Sequence, residues 1–502
     1  MASPSLTELK KVATMAREPA FMSSFTPKPG GVDPLGLRQI NFDLMDLVFP
    51  GLNNIARHVR PFTLVTWAWR RAAICARDLG KVRVDVSELQ DFVDRIEVIY
   101  VWSQLMRSQE VDLPGRDVLA PLIAAGKYKF DGEDWRFRRD RRRYSTALSA
   151  PVNYGPGLKS LGWLRPDAEG KGAMVPTPAV YEAIEAFEGL ISSYLGHPAL
   201  SRFGAVTVTN ADLEKLAEAW ALERPTAAEQ RAMVTILAGE DANKHRRGGI
   251  NLAVSAARHL NGGTDLLAVR RTMCGAPSGF VPAPELKAAA EAWRAVQVRQ
   301  VFRLALEALL HWILRRLDDG PMTTSALAEA FLMGAGDAPT TEQWLTPTGT
   351  DGKGPADWVD RLEKSLTPLD DEVELLATIR TALATSLAEA PEKAGIERDD
   401  RLPLARAARE AKDRKNDAPR AFIEHVVESW IFGQHVYWSI GRGLADARGR
   451  GKTILRLKAT LEDTGWTLAP GANVADRNAP QATGDRLETA ITLLRESGLV
   501  RA

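Results

Sequence analysis

The sequence predicts a mainly α-helical, multi-domain protein with one embedded winged-helix-like β-hairpin module. Apolar residues recur at helical spacing along most of the 502-residue chain, which indicates amphipathic helices. Between positions 155 and 176, a Gly-Trp-Leu motif and a glycine-rich stretch replace that spacing, which favours a β-hairpin. Hydrophobic residues make up 45% of the chain and charged residues 26%, enough for several ordinary domain cores.

Changes in composition divide the chain into predicted segments. In chain order these are an extended N-terminal lead-in (1–32), a helical domain (33–125), a winged-helix-like module with a basic shoulder (126–200), a helical domain with a long spine helix (201–332), a linker or loop (333–357), a C-terminal helical domain (358–465), and a polar loop with a terminal helix (466–502). The boundaries rest on Pro/Gly-rich breaks and on the return of helical spacing after each break.

Each helix is predicted from apolar residues three and four positions apart. The predicted helices cover approximately 5–17, 40–48, 62–79, 86–107, 178–191, 210–222, 285–317, 371–390, 419–448 and 485–496. Asn210 is expected to cap the helix that follows it, and the charged stretch 393–415 is expected to lie in solvent. The helix over 285–317 would be roughly 50 Å long, enough to act as a spine between domains.

The densest positive charge in the chain is a run of arginines in the predicted module. Six arginines fall within eight residues: Arg136, Arg138, Arg139, Arg141, Arg142 and Arg143. Helical spacing is lost from 126 to 174, and the run is expected to form a basic shoulder directly before the winged helix. Arginine binds phosphate through paired hydrogen bonds, and the interleaved Trp135, Phe137 and Tyr144 could stack on unpaired bases. The alternative is that the rings pack in a core while nearby acids neutralise the arginines.

The winged-helix prediction rests on the residues that follow this run. Leu158 and Leu161 share one helical face, and Gly162 can end the helix with a positive φ. Strands are then expected over 163–165 and 173–176, with the tip between them. Lys159 would point outward from the helix, and Arg165 and Lys171 would flank the wing, all three suited to phosphate contacts. Winged helices also serve as protein–protein modules, which is the competing interpretation.

A second basic cluster precedes another helical stretch. Lys244, Arg246 and Arg247 stand directly before Gly248 and Gly249, and a glycine-rich helix start can bind anions through free backbone N–H groups. A solvated turn is the favoured interpretation, because the chain offers no preceding strand. The Gly-Lys-Thr at 451–453 does not complete a P-loop, since Asp446 stands where the motif requires glycine.

The sequence shows no recognisable catalytic, cofactor or metal-binding motif. None of the seven histidines lies three or four residues from another, and Cys75 and Cys274 form no ligand pair. His425 and His435 lie in an aromatic-rich helix, where packed or capped histidines are expected. The net charge of +1 restricts any phosphate-binding surface to a local patch. The lack of a signal-peptide pattern and of a long apolar run predicts a cytoplasmic protein without membrane contact.

Short motifs along the chain carry a resemblance to a known group. Asp33-Pro-Leu-Gly-Leu, Phe49-Pro-Gly-Leu-Asn-Asn, Arg60-Pro-Phe-Thr, Asn153-Tyr-Gly-Pro and Arg486-Leu-Glu-Thr-Ala are their main elements. In these motifs the chain resembles a poorly characterised group of bacterial proteins associated with mobile or antiphage-defence gene clusters. The resemblance implies a bacterial source and a defence role, and it supplies no active-site residues.

These observations lead to one leading hypothesis and two alternatives. The leading hypothesis is a non-catalytic, DNA- or RNA-associated subunit of a bacterial antiphage-type defence complex, with protein partners encoded nearby that include a helicase or nuclease. The first alternative is a scaffold or adaptor that binds only proteins. The second is an unrecognised metal-dependent nuclease or other effector, assembled from dispersed acidic residues.

Overall fold

Helices form most of the protein, which confirms the predicted fold class. The computed structural model describes residues 26–27, 33–80, 85–168, 172–261, 265–275, 279–347, 353–366, 371–390, 401–441, 454–472 and 479–500. Most of the predicted lead-in, including the helix at 5–17, lies outside the described residues. The same holds for Lys171 and for the P-loop-like segment at 449–453.

The α-helices follow one another along the whole described chain. They are α1 (Arg38–Met45), α2 (Val59–Asp78), α3 (Val86–Arg107), α4 (Arg116–Ala125), α5 (Gly132–Arg142), α6 (Gly155–Ser160), α7 (Tyr181–Leu190), α8 (Pro198–Ser201), α9 (Asn210–Ala219), α10 (Ala227–Ala238), α11 (Lys244–His259), α12 (Leu266–Met273), α13 (Lys287–Arg316), α14 (Thr324–Ala335), α15 (Thr341–Trp344), α16 (Pro355–Ser365), α17 (Glu372–Ala388), α18 (Leu404–Asp413), α19 (Pro419–His425) and α20 (Leu487–Glu496). A π-helix (Val426–Gly433) continues α19, and single 3₁₀ turns occupy Pro178–Val180, Ser192–Tyr194 and Pro284–Leu286.

The strands are short and pair only two at a time among the described residues. They are β1 (Thr26–Pro27), β2 (Lys127–Phe130), β3 (Leu164–Pro166), β4 (Met174–Pro176), β5 (Val206–Thr209), β6 (Ile454–Leu455), β7 (Ala459–Glu462) and β8 (Gly465–Leu468). Strand β1 pairs with β6 in parallel, whereas β2–β5, β3–β4 and β7–β8 are antiparallel pairs. The β3–β4 pair is the hairpin predicted from the sequence.

The chain divides into two compact units, each assembled from distant parts of the sequence. Unit 1 comprises residues 1–45 and 267–483, and unit 2 comprises residues 46–266 and 484–502. The predicted segment 33–125 is therefore shared between the two units, and so is the segment 201–332. Composition along the chain cannot show this division. The division depends on which helices from distant parts of the sequence pack together within each unit.

Unit 1 is organised around the longest helix, α13. Its buried side chains include Phe302, Leu306, Leu310 and Ile313, and the helix packs with α1, α16, α17 and the π-helix. The predicted loop at 333–357 contains helix α15, whose Trp344 is fully buried in this core. Local polarity suggested a linker there, but burial of the tryptophan orders the segment.

Unit 2 is built on α2 and α3, both of which are buried along most of their length. Large aromatic side chains fill its core, including the fully buried Trp67, Trp102, Trp163 and Trp220. The bounds of α3 coincide with those predicted, and the Asp85 side chain caps it by accepting from Ser87 N over 3.0 Å. No helix of the described residues combines the length and apolar character needed to cross a membrane.

Candidate functional site

Most of the arginine run lies on a helix, α5, although helical apolar spacing is lost over this stretch. Asp131 caps the helix by accepting from Gly132 N over 2.8 Å. Glu133 and Asp134 occupy the first turn, while the last turn is basic. This order of charges complements the helix dipole. Caps and charge placement therefore produce a helix in a stretch whose apolar spacing gives no sign of one.

The inner face of α5 is fixed on α3 by one carboxylate. Asp91 Oδ1 accepts a 2.7 Å hydrogen bond from Arg139 Nη1 and a 2.8 Å hydrogen bond from Trp135 Nε1. Arg143 adds a 2.8 Å hydrogen bond to Gln90 and a 3.6 Å ion pair with Asp94. Trp135 is almost fully buried by this packing. Arg139 and Arg143 therefore serve largely to attach α5 to α3.

Buried charges lie beneath this contact. Arg142 and Glu97 are buried, with exposed fractions of 4% and 0%. Burial raises the pKa of Asp94 to about 7; Glu97 adds to the rise, and Arg143, Arg139 and Arg142 oppose it. Burial likewise raises the pKa of Glu97 and lowers that of Arg142, although the opposite charges restrain both shifts. Arg142 was predicted as a phosphate contact; its burial corrects that prediction.

The outer face of α5 carries arginines and aromatic rings that solvent can reach. We call the set Arg136, Phe137, Arg138, Arg141 and Tyr144 the basic–aromatic surface. Phe137 is 61% exposed and Tyr144 is 73% exposed. Arg138 pairs with Asp134 at 3.1 Å, whereas Arg136 and Arg141 form no ion pair with any described residue. Arg136 and Arg141 therefore place two positive charges, without an acidic partner among the described residues, beside the exposed Phe137 ring. The stability of a fold rarely requires such a combination.

A cavity of about 320 Å³ opens beside this surface. Val98, Leu119, Leu122 and Trp135 contribute apolar walls, and Tyr128, Phe137, Arg138 and Arg141 contribute rings and guanidinium groups. The Arg138 guanidinium lies 5.8 Å from the Tyr128 ring centre, and the Arg141 guanidinium lies 5.4 Å from that of Phe137. A cavity of this size and lining can accept one planar ring with positive charge at its edge.

The predicted wing is present as a hairpin. Gly162 ends the preceding turn with φ +76°, and β3 and β4 pair from Leu164↔Pro176 to Pro166↔Met174. Lys159 and Arg165 are exposed, as predicted, and Lys171 lies outside the described residues. The preceding helix α6 has only six residues, and its Gly157 packs against the Phe62 ring. Whether the module acts as a winged helix stays a prediction.

The second basic cluster forms the first turn of α11. Arg246 is buried and donates to the backbone oxygens of Ile236 and Pro50 at 3.0 and 3.1 Å, so it is not available to an anion. Arg247 Nη1 donates to the Glu240 oxygen at 2.8 Å, and Lys244 is exposed. The Asn243 side chain caps the turn. The arginines brace this turn against neighbouring backbone, which corrects the anion-binding prediction for Arg246.

The remaining chemistry-bearing residues form no metal site in the described part of the chain. No group of three or more His, Cys, Asp or Glu there could hold a metal ion. His435 is packed, as predicted: Nδ1 donates to the Pro34 oxygen over 2.8 Å and Nε2 accepts from Lys458 N over 2.9 Å. Sequence reasoning missed the carboxylates of α3 and Tyr128, because no local motif joins them to the arginine run.

The fold and site together define a mainly helical protein of two compact units, with a basic–aromatic surface in unit 2. Comparison with protein-family models, curated proteins and solved structures finds no match. The resemblance to bacterial defence-associated proteins therefore stays a prediction, and functional inference rests on the site itself.

Proposed function

We propose that unit 2 binds single-stranded nucleic acid through the basic–aromatic surface and performs no chemistry on it. The observation that carries this proposal is that Arg136 and Arg141, which form no ion pair with a described residue, flank the exposed Phe137. Free guanidinium groups bind phosphates bidentately, and exposed rings stack on bases without regard to sequence. Duplex DNA offers no unstacked base to Phe137, so a single strand fits the surface better.

The cavity beside α5 supports the same proposal. Its volume of about 320 Å³ suits one flipped base between Tyr128 and Phe137, with Arg138 and Arg141 placed for the adjoining phosphates. The near-neutral charge of the whole chain, +1, makes such binding local to this surface. Lys159 and Arg165, exposed on the hairpin side of the same unit, are proposed as secondary phosphate contacts.

Salt-dependent binding tests this function directly. Fluorescence anisotropy of a labelled oligothymidylate should show a logarithmic salt slope of about −2 if three phosphates are neutralised. R136A/R141A should make that slope less negative by about 1.4, and it should weaken binding to oligonucleotides of every sequence. The matched control R77A/R224A removes two exposed arginines elsewhere in unit 2 and should leave both quantities unchanged.

The competing outcomes are distinct. Absence of binding at about 50 mM salt, or equal affinity of R136A/R141A and wild type, overturns the proposal and favours a surface for protein partners only. Tighter binding of duplex than of single strand would contradict the stacking role assigned to Phe137. Parallel measurements with oligouridylate decide between DNA and RNA, because only RNA carries the 2′-hydroxyl.

For the cellular setting, we propose a cytoplasmic subunit of a bacterial antiphage-type defence complex. The support is the resemblance of the short motifs given above, and in such a complex a helicase or nuclease partner would supply the reaction. Co-purification of the tagged chain from a host that expresses its neighbouring genes would test this, and recovery of the chain alone would contradict it.

A further inference from the structure

A hydrogen-bonded series of carboxylate, imidazole and hydroxyl lies in unit 1, separate from the proposed nucleic-acid surface. His425 Nε2 donates to Glu410 Oε2 over 2.9 Å, and Ser429 Oγ donates to His425 Nδ1 over 3.4 Å. Glu410 belongs to α18, His425 is the last residue of α19, and Ser429 lies in the π-helix that follows. A hydroxyl, a base and a group that orients the base are the components of an activated nucleophile.

Glu410 is held in its ionised form. Trp430 Nε1 and Arg406 Nε each donate to it over 2.7 Å. Burial alone would raise the pKa of Glu410, but hydrogen bonds from Trp430, His425 and Arg406 outweigh it and lower the pKa to about 2. An ionised carboxylate only accepts, so His425 carries its proton on Nε2. The lone pair of Nδ1 then faces two groups, the Ser429 hydroxyl and Arg414 Nη2, each 3.4 Å away.

Glu410, His425 and Ser429 differ in their exposure to solvent, as a shielded base and an accessible hydroxyl require. The side chains of His425 and Glu410 are only 19% and 23% exposed, while Ser429 is exposed. The buried Trp430 packs edge-on against the His425 ring at 6.0 Å and limits its rotation. The acid and base are therefore shielded, and the hydroxyl is accessible to a molecule from solution.

The surroundings of Ser429 supply positive charge as well. Arg414 Nη2 lies 3.4 Å from His425 Nδ1, and Arg414 Nη1 lies 3.5 Å from Asp417 Oδ2, so this guanidinium is close to the imidazole and partly neutralised. A cation at this place can stabilise the oxyanion that forms when a hydroxyl adds to a carbonyl group. The π-helical backbone of Val426–Gly433 is a second feature, because such segments are rare and often occur at functional sites.

We propose that Ser429 is a catalytic nucleophile for small carboxylic esters, with His425 as its base and Glu410 as a positioning residue. His425 Nδ1 takes the hydroxyl proton while Oγ bonds to the carbonyl carbon and the π electrons move to oxygen. When those electrons return, the bond to the alcohol oxygen breaks, and that oxygen takes the proton from Nδ1. Water then attacks acyl-Ser429 in the same way, which releases the carboxylic acid and returns the proton to Oγ.

Labelling of the full chain with a fluorophosphonate probe, together with hydrolysis of p-nitrophenyl acetate, tests this proposal. Wild type should be labelled at Ser429 and should release p-nitrophenolate above the buffer rate. S429A should lose both, and H425A should hydrolyse about 100-fold more slowly, the usual contribution of a general base. S145A, which removes another exposed serine, is the matched control and should keep both. E410Q should lower kcat with little change in KM.

Two results would overturn the proposal. One is wild-type labelling no greater than that of heat-denatured protein, and the other is an S429A rate equal to the wild-type rate. If S429A does not fold, judged by its thermal melt, alkylation of S429C by iodoacetamide replaces it. S429C should react faster than S429C/H425A, because His425 takes the thiol proton; equal rates would contradict the role of His425.

Discussion

Arg139 of α5 donates a 2.7 Å hydrogen bond to Asp91 of α3, the same carboxylate oxygen that accepts from Trp135. This relationship separates the arginine run into two parts with different tasks. Arg139, Arg142 and Arg143 face the carboxylates of α3 and attach the helix. Arg136 and Arg141 are left in solvent, where they can meet a ligand.

We expect D91A to destabilise unit 2 by about 2 kcal/mol, because it removes the acceptor that the Trp135 N–H and Arg139 Nη1 share. The midpoint of urea denaturation measures this loss. D140A is the matched control, since Asp140 is 60% exposed and pairs with the same arginine at 3.3 Å. Its effect should stay within about 0.5 kcal/mol. Equal losses for both variants would show that Asp91 does not hold the helix.

The buried Asp94 predicts a pH dependence of stability. Its folded pKa of about 7 exceeds its ordinary value of 3.8, so the native state binds the extra proton between these values. The free energy of unfolding therefore falls as pH rises through this window, by at most about 1.4 kcal/mol per pH unit. D94N should become more stable relative to wild type between pH 5 and pH 8. A difference that stays constant over this range would contradict the prediction.

Glu410 predicts the opposite trend in unit 1. Its folded pKa of about 2 lies below the ordinary 4.5, so its contribution is present above 4.5 and is lost as pH falls towards 2. E410Q should therefore unfold about 2 kcal/mol more easily at pH 7 and resemble wild type near pH 2. Denaturant titrations at the two pH values measure the difference. An equal loss at both would show that charge is not the source of the stabilisation.

The close packing around Gly249 predicts that this position of α11 requires glycine. A Cβ at this position would overlap the Val48 carbonyl oxygen, so G249A should cost about 3 kcal/mol in the free energy of unfolding. Gly189 near the end of α7 is the matched control, because a Cβ there meets no atom within 4 Å. G189A should be neutral or stabilise by up to about 1 kcal/mol. Thermal melting of both variants checks the contrast, and similar melting temperatures would contradict it.

Much of the fold could be predicted from local patterns. The bounds of α3 follow from apolar spacing and an Asp85 cap, and the β3–β4 hairpin follows from Gly162 and the residues after it. The cap of α9 shows the limit of such reasoning: Thr209, one residue before the predicted Asn210, accepts from Asp212 N over 3.3 Å. Both residues are good caps, and the strand β5 decides between them by ending at Thr209.

The candidate sites could not be predicted from local sequence patterns, because their residues come from distant parts of the chain. Glu410 lies in a charged stretch, 393–415, that was predicted to be solvated, yet α18 buries Leu404 and Ala407 on one face and turns Glu410 towards His425. No spacing rule connects Glu410 with Ser429, because they come from different helices. The sequence predicts a packed or capped His425 and gives no sign of Glu410 as its partner.

The sequence by itself determined the helical class, the hairpin and helices such as α3, and that six arginines would lie close together, because caps, turns and apolar spacing act over a few residues. Only the tertiary structure decided which arginines are free. Asp91, Asp94 and Glu97 reach α5 from about 45 residues earlier in the chain, and burying a charge requires an opposite charge nearby. The fold places those carboxylates under Arg142 and leaves Arg136 and Arg141 on the surface.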